Sequence, residues 1–394
     1  MNDNARISEP GGQSCLFNVF MFLKIGLKDM GYKPSFLVFL AFGHVLCLAT
    51  VLGDLTCMDP EGNAVDWFAM YKIPHLKDNP DPLIKIGLGH VYMDINAPKW
   101  RPMNVSLNAT SGHALYYTLE QMYSQHDSDD FGYILYNDDP PEHPPYSFNY
   151  GHTKGVLMLT PSRGVWLVHS LPRFPPVTSS SYSYPHNGLY YGQAFLCVTF
   201  TPDAFDKIGG LLLYDYPHIY DQKLPSSLAQ KFENLSLVVQ GKNISGSPAD
   251  QIFPLISVGG HDFLSFGKSK LLDKDLYYDI VAPALESDLL VESWQHESII
   301  PSYCEGKYTV ENVNLIQLPN GIKFEEYDDH AKWAISKTAD SQGKKWTCVG
   351  DINREYGQYK RGGGTLCFSN PDVWEAFHGT IAEYKQCKKG TSLN

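Results

Sequence analysis

The 394-residue chain contains no Cys-x-x-Cys pair, which argues against a zinc ribbon or a thioredoxin-like redox site. It also lacks any excess of positive charge. Lys and Arg number 31 against 43 Asp and Glu, a formal net charge of −12 at pH 7. That is the wrong sign for holding a polyanion at neutral pH. Charged residues make up only 19% of the chain and aromatics 13%, a profile far from disorder. The one long apolar stretch, Phe36 to Phe42 continuing as Val45 to Ala49, is interrupted by Gly43 and His44. It is short for a membrane span. No KDEL-like tail stands at Ser392-Leu393-Asn394.

That stretch fits a secretory signal better than a permanent anchor. Lys33 precedes it, and Val51 and Gly53 occupy the −3 and −1 positions of a plausible cleavage site. Residues 1–53 are therefore expected to be a leader with an apolar core at about 36–52. Met30 is an alternative start, and a signal-anchor with a short N-terminal tail is the competing reading. Cys15 and Cys47 fall in the leader. Cys57, Cys197, Cys304, Cys348, Cys367 and Cys387 remain, an even number that suits three disulfides, though spacing alone does not choose the pairing. Sequons at Asn104, Asn108, Asn234 and Asn243 suit a glycoprotein. The expected destination is the secretory pathway, lysosomal or secreted, with no stable membrane association once the leader is gone.

Loss of the leader removes four basic and three acidic side chains, leaving −13 and 13 histidines. Protonating those histidines, with part of the carboxylates, would carry the chain to zero and beyond near pH 5. An acidic lumen could thus switch polyanion binding on; mere solubility is the plainer meaning of an acidic balance.

Strand-like runs, such as Gly188 to Phe200, interleave with helical candidates at Gly112–Tyr123, Ala204–Tyr214, Asp273–Leu290 and Pro371–Lys385. This points to a mixed α+β (α/β) class with sheets as the core. Two triplets carry chemistry: Gly151-His152-Thr153-Lys154-Gly155 and Asp329-His330-Ala331-Lys332-Trp333, 178 positions apart. On an extended strand, residues i and i+2 share a face, so each triplet presents an imidazole beside an ammonium. The ammonium can hold a phosphate oxygen while the imidazole attacks phosphorus or moves a proton. Each triplet opens a strand-turn-strand pattern, with Trp166 following His152 by 14 positions and Trp346 following His330 by 16. We read a degenerate internal duplication, with an N-terminal half at 54–220, a C-terminal half at 221–394 and a seam within Pro217–Pro225. Two unrelated strands that each contain His and Lys are the plainer alternative.

From Leu55-Thr56-Cys57 to Cys387 the chain resembles the deoxyribonuclease II family, itself similar to the phospholipase D superfamily. The resemblance rests on Val65-Asp66-Trp67-Phe68 with Tyr71-Lys72, Tyr136-Asn137-Asp138, both triplets and Trp166-Leu167-Val168-His169-Ser170. Trp346-Thr347-Cys348-Val349-Gly350-Asp351-Ile352-Asn353-Arg354 and Arg361-Gly362-Gly363-Gly364 complete it. It implies a pseudo-dimer of two HxK half-sites meeting at one centre, a monomer with an internal two-fold. The implied activity is cleavage of double-stranded DNA at acid pH without metal or other cofactor, leaving 3′-phosphate and 5′-hydroxyl ends. His152, Lys154, His330 and Lys332 would be catalytic. By superfamily analogy His152 would be the nucleophile and His330 the acid, although the sequence itself does not order them.

His169, Asp351 and Asn353 would have supporting roles, with Asp351 able to fix an imidazole tautomer. Arg361, Gly362 and Gly363 would approach phosphates, the glycines through backbone N–H groups. The resemblance also implies the bridges Cys57–Cys197, Cys304–Cys387 and Cys348–Cys367. At Ala334 the chain departs from vertebrate members, which commonly have cysteine there; the triplets are untouched. A non-catalytic DNA-binding relative and a phospholipid-cleaving enzyme are the other two readings.

Overall fold

The computed structural model describes residues 54–141, 147–296 and 298–387. The expected leader, with Cys15 and Cys47, lies outside the described residues, as does His143. Two sheets face each other. The first runs in spatial order β8-β4-β5-β6-β7-β1-β2-β3. Its strands are β1 (Trp67–Lys72), β2 (His90–Asp94), β3 (Ala97–Met103), β4 (Gly132–Asn137), β5 (Lys154–Leu159), β6 (Gly164–His169), β7 (Gln193–Phe200) and β8 (Ile219–Lys223). The second runs β9-β10-β16-β15-β14-β11-β12-β13, with β17 added beside β12. Its strands are β9 (Asp250–Ile256), β10 (Asp262–Lys268), β11 (Leu289–Ser293), β12 (Val310–Leu318), β13 (Ile322–Glu325), β14 (Lys332–Ser336), β15 (Thr347–Gly350), β16 (Gly363–Phe368) and β17 (Ile381–Tyr384).

The central strands are covered on both faces, which is why they read as apolar runs rather than alternations. Trp67, Leu157, Trp166 and Leu196 point inward to meet Trp333, Ile335, Val349 and Leu366. The opposite parity packs outward. Phe68, Val156, Leu167 and Phe195 meet helix α1 (Ala114–Gln125) through Leu115, Leu119 and Met122. On the far side, Phe266, Val291, Ala334 and Cys348 meet the short helical segment Tyr277–Ala284. Each large apolar side chain so buried contributes about 1.5–3 kcal/mol.

Within each sheet a common unit repeats in the same chain order: strand, helix, then four strands. It is β1, α1, β4, β5, β6, β7 in the first and β10, helical segment, β11, β14, β15, β16 in the second, with matching antiparallel neighbours. The tryptophans that suggested the repeat are not equivalent in it. Trp166 pairs with Leu157, three residues past Lys154, whereas the residue opposite Ile335, three past Lys332, is Thr347. Trp346 is one position out of step, so Trp166 faces the inter-sheet core and Trp346 the outer one.

The strands of the first sheet end at Lys223, within the expected Pro217–Pro225 span, and those of the second begin at Asp250. The expected boundary at 220/221 falls inside β8, which pairs with β4 at the edge of the first sheet. Helix α2 (Phe205–Asp215), before that boundary, packs on β9 and β10 of the second sheet and on α3 (Glu233–Val239). Two helical expectations are shortened. The segment 273–290 ends as helix at Ala284 and gives way to β11 at Leu289. Helix α4 (Pro371–His378) starts where Asn370 caps the N–H groups of Asp372 and Val373. It stops at Gly379, and Ile381–Tyr384 pairs with β12 instead.

Disulfides join Cys57 to Cys197, Cys304 to Cys387 and Cys348 to Cys367. The last links directly opposite residues of β15 and β16, and Ala334 lies opposite Cys348 in the same row. Asn104 and Asn243 are exposed. Asn234 suits glycosylation poorly, because its Nδ2 donates to the Asp206 carbonyl (3.1 Å) and carboxylate (3.0 Å).

Candidate active site

The strand openings bring the two triplets to one seam. Lys154 begins β5 and Lys332 begins β14, with each histidine two residues before. The His152 N–H donates to the Gly362 carbonyl and the His330 N–H to the Gly192 carbonyl, both at 2.9 Å. By the register of β6 with β7 and of β15 with β16, Gly192 and Gly362 are equivalent positions, each just before the strand that flanks the hairpin. Each triplet is therefore docked against the other half by the same bond.

The equivalence extends to the rings. His330 Nδ1 lies 2.9 Å from the Ser170 carbonyl. The residue equivalent to Ser170 is Asp351, whose backbone favours the charged form of His152. A carbonyl only accepts, so the Ser170 contact favours the His330 tautomer with its hydrogen on Nδ1. The Asp351 carboxylate does not fix the imidazole as expected. It accepts from Thr153 Oγ1 and from Gly364 N (3.0 Å), fastening the triplet loop to the second sheet.

Both histidines are nearly buried, at 7% and 6% exposure. Burial holds the His152 pKa well below its usual value, reinforced by the cations Lys154, Arg361 and Lys332. Burial likewise depresses His330, reinforced by Lys332, Lys154 and His152 and opposed by Asp138. Burial also pulls the Lys332 ammonium down, with Lys154 adding to the shift. Lys332 Nζ lies 3.0 Å from His330 Nδ1 and donates to the His330 carbonyl.

Asp138, one residue past β4, holds the first half-site together. Its carboxylate takes the Lys154 ammonium and Arg361 (3.2 Å), and reaches His152 Nε2 no closer than 3.7 Å. Burial pushes the Asp138 pKa up, but Lys154 and Arg361 outweigh it and hold the group below the usual range. Sequence reading passed over Asp138 as a site residue. Its position at the end of the strand beside β5 was the available signal. Gly192, Gln193 and Ser170 were missed too; they become visible only once the second Gly-rich segment is aligned with the first.

Other expected residues sit differently. Arg361 is in the site, its guanidinium also donating to the Gly151 carbonyl at 3.0 Å. Gly362 and Gly363 serve close backbone packing. A Cβ on Gly362 would meet the Asp215 carbonyl at 2.3 Å, and one on Gly363 the His152 carbonyl at 3.2 Å. His169 lies directly across from Lys154 in the register, wholly buried, stacked on Phe195 and edge-on to Phe174. Burial drops its pKa to about 3, so it stays neutral and walls in Lys154 rather than holding a phosphate by charge. Asn353 is buried, and no hydrogen bond among the described residues joins it to either imidazole. Its neighbour Arg354 is bound to Asp275, Asn312 and the Pro301 carbonyl. Among the described residues no group of three or more His, Cys, Asp or Glu side chains is placed to hold a metal ion.

The family model of deoxyribonuclease II matches residues 56–387, which contain the whole of this site. The chain belongs to the deoxyribonuclease II family. It is similar to plancitoxin-1 of Acanthaster planci, at 37% identity over 360 residues, covering 90% of this chain and 99% of that one. Deoxyribonuclease-2-alpha of Sus scrofa is 39% identical over 354 residues, 87% of this chain and 95% of its own. Deoxyribonuclease-2 of Caenorhabditis elegans is 34% identical over 384 residues, 91% and 100%. With membership goes the enzyme class, a nuclease of the hydrolase kind.

Proposed function

We propose that the protein is a metal-independent acid endonuclease of double-stranded DNA, leaving 3′-phosphate and 5′-hydroxyl ends. The observation that carries this reading is the reciprocal docking of the triplets, with the His152 and His330 N–H groups on the Gly362 and Gly192 carbonyls. It gives two imidazoles and two ammonium groups a common seam.

His152, kept neutral by burial and three neighbouring cations, attacks phosphorus through Nε2. An N–P bond forms as the P–O5′ bond breaks, and His330 gives its Nε2 proton to the departing O5′. Water then attacks phosphorus, His330 takes the water's proton, and the N–P bond breaks to release a 3′-phosphate. Lys154, Lys332 and Arg361 hold the non-bridging oxygens, with phosphate displacing Asp138 from part of its contacts. Because burial depresses both imidazoles, His330 carries its proton only in acid. Acid solution also lowers the negative charge that opposes DNA binding. The two halves act as one pseudo-symmetric unit in a monomer, and an acidic lysosomal or secretory compartment suits both requirements.

Purified protein should nick supercoiled plasmid between pH 4 and 6 in the presence of EDTA, giving ends that need phosphatase before 3′ extension, and should leave phosphatidylcholine vesicles intact. Loss of cleavage in chelator, or hydrolysis of the lipid in preference, would overturn the proposal.

A further inference from the structure

The wall beside His330 is aromatic. Trp294 stands edge-on to the His330 ring with centroids 4.7 Å apart, and His296 tilts against Trp294 at 4.1 Å. Tyr327 stacks on His296 at 4.0 Å, 20° from parallel, and Tyr191 meets Trp294 edge-on at 5.6 Å. A bond from His296 Nε2 to the Tyr327 carbonyl (2.9 Å) fixes the row. Tyr327 is 57% exposed and the other three are half-buried, so the row runs from the reacting imidazole out to solvent.

The position is telling. Asn137 pairs with Lys154 and Ser293 with Lys332, so the residues that follow, Asp138 and Trp294, are equivalent. One half-site has a carboxylate gathering cations at that place; the other has an indole leading to exposed rings. The faces of aromatic rings offer little to a sugar-phosphate backbone and much to the face of a base. Stacking of a base on an aromatic side chain contributes about 1–3 kcal/mol and does not depend on sequence.

We propose that Trp294, His296 and Tyr327, edged by Tyr191, form a stacking platform for an unpaired nucleobase of the nucleotide next to the scissile phosphate on the His330 side. The enzyme then favours DNA already unpaired at the point of cleavage. A base in a duplex must first leave its stack to reach the platform, which takes a few kcal/mol. This rests on the nuclease reading above and adds the conformation of DNA that the site selects.

The test uses one labelled 30-base-pair duplex at pH 5, fully paired or carrying a three-nucleotide bulge, with the full-length protein. Wild type is expected to cut at the bulge with kcat/KM about tenfold above the paired positions, matching one stacked base. Tyr327→Ala should remove most of that preference through KM with little change in kcat, and Tyr327→Phe should keep it. Tyr327 is largely exposed, so equal melting temperatures are expected and serve as the folding control. Equal cutting of bulged and paired positions by wild type, or a preference that survives Tyr327→Ala, would overturn the platform while leaving the nuclease reading standing. Absence of any cleavage by wild type would bring down both.

Discussion

The two half-sites share a backbone and differ in what surrounds it. In both, a histidine N–H docks on a glycine carbonyl of the opposite sheet. Beside His152 stand Asp138, Arg361 and the buried His169 behind Lys154. Beside His330 stand Trp294 and, across from Lys332, Gly350 in the place of His169. The symmetric part places two imidazoles; the asymmetric part gives them different neighbours. Burial depresses both imidazoles and neighbouring cations reinforce it at each, while Asp138 opposes it at His330.

Removing the ammonium groups should break the comparison most severely. Lys154→Met and Lys332→Met are each expected to lower kcat about 10²–10³-fold, the range for losing one donor to transition-state charge. If they hold equivalent phosphate oxygens, the two losses should agree within about tenfold.

Asp138→Asn should act on the pH profile. The carboxylate raises the His330 pKa, so its removal leaves His330 deprotonated at lower pH. The alkaline limb of kcat/KM against pH is expected to move toward acid, with the His152 limb less affected. An unmoved profile would show that Asp138 only organises Lys154 and Arg361.

The docking glycines offer a smaller contrast. A Cβ at Gly362 would meet the backbone carbonyl of Asp215 at 2.3 Å, whereas at Gly192 it would meet the Asp329 carboxylate oxygen at 2.2 Å. A side-chain tip can move and a helix end cannot. Gly362→Ala should therefore lower the melting temperature more than Gly192→Ala, by several degrees in thermal unfolding.

Much of this was legible from the chain. The triplets, their hairpins and Arg361 appear as sequence patterns, because strand parity and turn chemistry are local. The boundary at 220/221 cuts β8, and α2 before it packs on the second sheet, because both follow partners distant in sequence. Asp138 was missed for a similar reason: a carboxylate at a strand end means little until the neighbouring strand is known. The Gly-rich run suggested phosphate contact, and the structure gives it close backbone packing. His169 looked functional from its motif, yet its surroundings are aromatic.

The last effect concerns the stability that this histidine contributes. Its pKa falls from about 6.5 unfolded to about 3 folded, so below pH 6.5 the unfolded chain binds more protons and stability is lost as pH falls. Asp329 and Asp351 work the other way. Burial raises both to about 6, so the folded protein binds more protons and gains stability as pH falls through that value. His169→Phe should remove the first loss, gaining about 3 kcal/mol over wild type at pH 4.5 relative to pH 7.5 in urea titrations.

The central claim is that the two triplets make one centre. Plasmid cleavage at pH 5 with EDTA should be measured for His152→Ala, His330→Ala and the double variant. Each single change is expected to lower the rate about 10³-fold or more, with the double variant no worse than the poorer single, as groups acting in one step behave. Two independent centres would instead leave about half of the activity in each single variant, and that result would contradict the account.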